Sequence, residues 1–313
     1  MDIKTLDIDQ TVAAKAAIGL IRGFISSLDG LDGSLKDQSK ELFQTLERLD
    51  GSESIMLKTI DSAFTAFLSV AMAPLKQADQ TQRALFVKDL EHLFQSQRAS
   101  AFGQTLLEGI LHPLLTGVQP KNIWVPGCGE AYEAAWITAK FPTTESFYLD
   151  IDAAALAKAE RRIDSLNNKK AKVWSIDLTK PELLPPVKPD LTLFFNPFVI
   201  ENGDYQRLVM MLSDKKTTES KADHYLSALN MSALAQTIYN NIINHMNVKR
   251  FISVTMDLAE AHVIHSFFTN KKIPVTCYRN PYAVKNLASL ILGKRSPKTE
   301  PKIYHYILDA HAT

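Results

Sequence analysis

From residue 119 onward, short β-rich runs alternate with helical patterns, and this alternation narrows the possible folds more than anything else in the chain. The runs read "NIWV", "ESFYLDI", "AKVWSID", "LTLFF", "RFISVTM", "PVTCY" and "IYHYIL". Helical patterns at residues 152–167 and 259–269 fall between the early ones. Parallel strands need a crossover lying on a sheet face, and a helix supplies it. The expectation is an α/β fold with a mostly parallel sheet covered on both sides. No long amphipathic helix separates the last two runs, so an antiparallel edge is expected there. An insertion at about residues 199–247 reads as helical, because Leu234, Ile238 and Ile242 recur every fourth residue.

Residues 1–117 read as helices only. Apolar residues keep a three-four spacing at Ile18, Ile21, Ile25 and Leu28, and again at Val87, Leu90, Leu93 and Phe94. Such stripes describe the core between packed helices rather than a cofactor surface. An all-helical N-terminal domain over 1–117 and a sheet domain over 118–313 are therefore expected.

The longest apolar run, Ala63 to Leu75, is too short to cross a bilayer and ends beside a proline. The opening "MDIKTLDIDQ" lacks the basic-then-apolar pattern of a secretory signal. Cys128 and Cys277 are the only cysteines, too few for a disulfide framework or a metal cluster. A cytoplasmic protein without membrane partners is expected. The formal net charge is only +1, but eight basic residues meet one acid between Lys271 and Lys302. Basic groups interleaved with Tyr278 and Tyr282 in Lys271–Lys298 can grip single-stranded nucleic acid. A solvated charged loop is the preferred reading, since the overall pI is near 7.7.

The stretch "NIWVPGCGEAYEAAW" carries a strand into Pro-Gly-Cys-Gly and then into a helix. One glycine would serve a tight turn. Two, one residue apart, suggest that a ligand lies against the backbone, where a helix N-terminus presents unpaired N–H groups. The dinucleotide fingerprint is a poor match, because Tyr132 stands where its third glycine belongs, and the P-loop lysine is absent. A nucleoside with an amino-acid tail fits better. It calls for a ribose-binding carboxylate at the end of the next strand, where Asp150 stands; Asp150 and Asp152 could instead cap the following helix. The third strand ends in Asp177, placed to accept from an adenine amino group. The fourth ends in Asn196-Pro197-Phe198, at the carboxyl edge where open α/β sheets bind ligands.

Together these residues resemble the Rossmann-like S-adenosylmethionine-dependent methyltransferases, over about residues 120–310. "VPGCG" (Val125 to Gly129) is similar to their cofactor loop, particularly that of thiopurine-methyltransferase-like members. The resemblance implies a seven-stranded sheet with an antiparallel last strand. It also implies that Gly127 and Gly129 flank the methionine part, that Asp150 holds the ribose hydroxyls and that Asp177 reads the adenine. Pro126, Cys128, Tyr132, Ile151, Leu178 and Asn196 complete the expected S-adenosyl-L-methionine contacts. Val125 replaces a carboxylate often found there, and Ala131 replaces the third glycine. "NPF" is similar to the Asn-Pro-Pro-Phe/Tyr motif of enzymes that methylate planar nitrogens, with one proline missing. Asn196, Pro197 and Phe198 are thus the candidate catalytic residues, in an enzyme whose acceptor is a nitrogen. The alternative is a scaffold that keeps the fold but transfers nothing, and the alternative for Asn196-Pro197 is a strand terminator.

Three further candidates carry less. Cys128 has no base at a recognisable spacing and reads as a small turn residue. His262 and His265 share a helix face without an acidic or cysteine partner for a metal. Glu133 favours the dipole of the helix it opens.

Overall fold

A computed structural model describes residues 1–6, 111–195, 197–213, 219–246, 249–255, 257–279 and 305–311, with a few helical positions between 40 and 48. The helical stripes expected between residues 7 and 110 otherwise lie outside the described residues, as does 280–304, most of the basic segment. The chain divides into two compact units. One joins Met1–Leu6, Val118–Val284 and Lys302–Thr313; the other joins Asp7–Gly117 and Lys285–Pro301.

The described strands all belong to the first unit. They are β1 (Ile3–Thr5), β2 (Asn122–Pro126), β3 (Glu145–Asp150), β4 (Ala171–Ser175), β5 (Leu191–Phe195), β6 (Arg250–Thr255), β7 (Val275–Arg279) and β8 (Tyr306–His311). They form one sheet in the order β1-β7-β8-β6-β5-β2-β3-β4. Only β8 runs antiparallel, between β6 and β7. The sheet is mostly parallel with its last strand reversed, as expected, but it has eight described strands rather than seven. The additional strand is β1, which pairs in parallel with β7 and sets Ile3 opposite Cys277. Three residues with one apolar side chain leave no periodic trace in the sequence, and backbone pairing alone places them at the edge. The pairing also extends β7 by Arg279, one residue past the expected run "PVTCY".

The central strands read as unbroken apolar runs because both their faces are covered. In β2 and β3 every residue after the first is buried, apart from the half-buried Asp150. Helices α1 (Ala134–Lys140) and α2 (Ala153–Ser165) follow β2 and β3. α2 buries Leu156, Ala159 and Ile163, the three-four spacing of a single face. Helix α3 (Asn202–Ser213), α4 (Glu219–Ala228) and α5 (Ala233–Met246) make up the insertion, and α6 (Leu258–Asn270) follows β6. Tyr239 of α5 is buried among Phe194, Phe251, Phe267 and Phe268, with ring centroids 5.4–6.2 Å away. The expected stripe on α5 drifts: Ile242 is buried, whereas Leu234 is 64% exposed. Steps of four overshoot a 3.6-residue turn, so the row rotates out of the core. No helix among the described residues is long and apolar enough to cross a membrane.

Candidate functional site

β5, β2, β3 and β4 are neighbours and run parallel, so their carboxyl ends line one edge of the sheet. That edge carries Gly127–Gly129, Asp150–Ile151, Asp177–Leu178 and Pro197–Phe198. After Pro126 the chain turns through three left-handed residues: Gly127 (φ +60°), Gly129 (φ +52°) and Ala131 (φ +50°). A Cβ on Gly127 would also meet the Phe194 ring at 3.2 Å. A Cβ on Gly129 would have nothing within 4 Å. The two glycines thus answer different needs: one lets the loop pack on Phe194, and the other leaves bare backbone facing open space.

Asp150 is aimed at this bend. Its Oδ2 accepts from Gly129 N–H at 2.8 Å, and its Oδ1 accepts from Asp152 N–H at 3.0 Å. The Cys128 N–H donates to Leu149 O at 3.1 Å, so loop and strand end are locked together. Asp152 caps α2 instead, accepting from Ala154 and Ala155 N–H at 2.8 and 3.2 Å. Capping thus falls to Asp152, while Asp150 is tied to the bend. Cys128 is buried, and burial, then the nearby Glu133 and Asp150, push its thiol far above the ordinary range. That is the setting of an inert turn residue.

Tyr132 leans toward α2. Its hydroxyl donates to Glu130 Oε2 at 2.6 Å, and the Arg162 guanidinium lies 4.3 Å from its ring centroid. Burial and then the Glu130 bond raise the phenol to about 12. Lys158 Nζ reaches Glu130 Oε1 at 2.6 Å, and Arg162 Nε donates to the Glu130 carbonyl at 3.0 Å. These contacts strap the glycine loop to α2.

Glu133 stands at the start of α1, as expected, but its side chain makes no capping hydrogen bond there. It precedes α1 with a buried carboxyl whose Oε1 has no hydrogen-bond partner among the described residues. Burial pushes its pKa from 4.5 to about 7. The folded chain then holds a proton here that the unfolded chain releases, so stability falls as pH rises from about 4.5 to about 7. Above that window the loss is about 3 kcal/mol. Glu133→Gln is therefore expected to raise Tm by several degrees at pH 8 and to leave it nearly unchanged at pH 4.5. Equal shifts at both pH values in thermal scans would rule this out.

At the end of β4, Asp177 Oδ1 accepts from Thr179 N–H and Oγ1 at 3.0 and 2.6 Å, and Lys180 Nζ lies 3.5 Å from Oδ2. The Thr179 hydroxyl, above all, holds this carboxyl below the usual range. Leu178 is buried, and its carbonyl accepts from Asn241 Nδ2 of α5 at 3.0 Å. At the end of β5, Asn196 lies outside the described residues, Pro197 is buried and Phe198 is 91% exposed. Ile151, at the end of β3, is 68% exposed. Asn241 and Glu260, which touch these loops, escaped sequence reading because long-range bonds to backbone have no periodicity. Among the described residues no group of three or more His, Cys, Asp or Glu could hold a metal ion.

The strand order, the single reversed strand and the glycine loop after β2 define a mostly parallel, Rossmann-like α/β fold. No protein-family model and no curated protein matches the sequence. Solved structures to which the chain is similar bear methyltransferase names. The methyltransferase domain of bacterial CtHen1-CN aligns at 10% identity over 64% of this chain and 94% of that one, with a TM-score of 0.41. Precorrin-6y C5,15-methyltransferase from Geobacter metallireducens aligns at 11% identity over 62% and 82%, TM-score 0.39. An rRNA methylase from Streptococcus thermophilus aligns at 11% identity over 65% and 96%, TM-score 0.40.

Proposed function

We propose that this chain is an S-adenosylmethionine-dependent methyltransferase whose acceptor atom is a nitrogen. The observation that carries the reading is the Asp150 carboxylate, drawn onto the left-handed glycine loop beside the open space at Gly129. Each of its oxygens spends one lone pair on backbone N–H, which leaves others for sugar hydroxyls. The residues present fit the cofactor. Pro126, Gly127, Cys128 and Gly129 would border its methionine part, Asp150 the ribose, and Ile151, Asp177 and Leu178 the adenine.

When bound, the cofactor supplies an electrophilic methyl group on a sulfonium. Transfer is an in-line displacement, so the protein's work is alignment and desolvation rather than nucleophilic attack. The Asn196 side-chain oxygen and the Pro197 carbonyl would accept from a target N–H₂, and the exposed Phe198 ring would stack on its plane.

Calorimetry with S-adenosylmethionine and its demethylated product should give binding of both. Labelled methyl groups offered with cell extract, sorted into protein, RNA and small molecules, then identify the acceptor class. Asn196→Ala is expected to lower kcat at least about tenfold, and an unchanged kcat ends its catalytic role. Binding without transfer into any fraction would favour the scaffold reading.

A further inference from the structure

We propose that Glu260 is a positioning residue for the acceptor side of this site, clamping the segment that presents Phe198. Glu260 stands in the first turn of α6, and Asp257 caps that helix by accepting from Ala259 N–H at 2.7 Å. The buried Glu260 carboxyl reaches back across the sheet edge, where Oε1 accepts from Val199 N–H at 3.2 Å. Its Oε2 accepts from the Thr255 hydroxyl at 2.8 Å, at the end of β6. From the other side Ser232 N–H donates to the Val199 carbonyl at 2.7 Å. Val199 is thus fully buried and held at both polar groups, while its neighbour Phe198 is 91% exposed.

An untethered loop would be free to move so as to cover the exposed Phe198 ring, because burying a phenyl group is favourable. The clamp opposes that collapse and fixes the ring outward, ready for a planar partner. An acid suits the position because it offers an acceptor oxygen to each of two donors. Glutamine could still accept from Val199 and donate to the Thr255 oxygen, so it should preserve the clamp, whereas alanine removes it.

The role rests on the reading of Asn196–Phe198 as the acceptor side, so two independent signals are needed. In Glu260→Ala, hydrogen exchange at the Val199 amide should accelerate at least about 100-fold. Affinity for S-adenosylmethionine should stay within about threefold, while the rate of label transfer into the accepting extract fraction falls at least about tenfold through kcat. Glu260→Gln should restore both exchange and rate. Unchanged exchange at Val199 overturns the clamp; faster exchange with unchanged transfer overturns the positioning role. Failure of the unaltered protein to bind S-adenosylmethionine would instead sink the methyltransferase reading itself, while the exchange signal still reports on the clamp. If Glu260→Ala does not fold, the isosteric Thr255→Val is read in the same way, with smaller shifts.

Discussion

Replacing Asp150 with alanine is expected to weaken S-adenosylmethionine binding at least about 100-fold in calorimetry. Two effects combine. The carboxylate accepts from Gly129 N–H in the glycine loop and from Asp152 N–H ahead of α2, and its loss leaves both donors without their partner. Hydrogen bonds to a charged group contribute about 1.5–3 kcal/mol each, so the bend at Gly129 loses its main anchor. On the proposed reading, the ribose of the cofactor loses its acceptor as well. Asp150→Asn keeps one oxygen and should cost about tenfold. Affinity within threefold of the original in the alanine variant would show that the strand-end acid serves the loop alone.

Asp309→Ala should cost about 3–5 kcal/mol of stability, the largest single effect expected away from the site. Arg250 donates to Asp309 through Nε at 2.8 Å and Nη2 at 2.6 Å, a bidentate pair joining β6 to β8. The side chains are 14% and 5% exposed, so removing the acid strands a guanidinium with little water to replace it. His311 Nε2, 3.1 Å from Asp309 Oδ1, loses the same partner but is more than half exposed, so water can replace that contact. Thermal scans should show Tm lower by about 10 °C. Replacing both partners with apolar residues of similar volume should recover much of the loss, because no lone charge then remains inside. A drop below about 1 kcal/mol in the single variant would mean that the pair is hydrated enough to be dispensable.

What could be read in advance follows from which signals have a period. β2, β3, β5 and β6 announced themselves because strands covered on both faces are continuous apolar runs. The bend was legible because glycine is demanded where the backbone turns left-handed, and Asp150 because a strand end next to it is a defined place. The division of labour between Asp150 and Asp152 was not legible, since both residue types suit a cap and only geometry separates them. Glu133 does stand at a helix start, but nothing in the sequence reveals that its carboxyl is buried there. Asn241 and Glu260 act on backbone groups 63 and 61 residues away, beyond any local pattern. β1 was silent because the edge accepts almost any short extended segment.

That edge strand has a consequence for how the molecule is made. Ile3–Thr5 is synthesised long before Cys277, its partner in β7, and β8, which must slide between β7 and β6, is made later still. The half of the sheet beyond β6 can therefore close only when translation has passed β8, leaving unpaired backbone on β6 in the meantime. A nascent chain stalled before Tyr306 would carry a formed glycine loop beside an open, adhesive border.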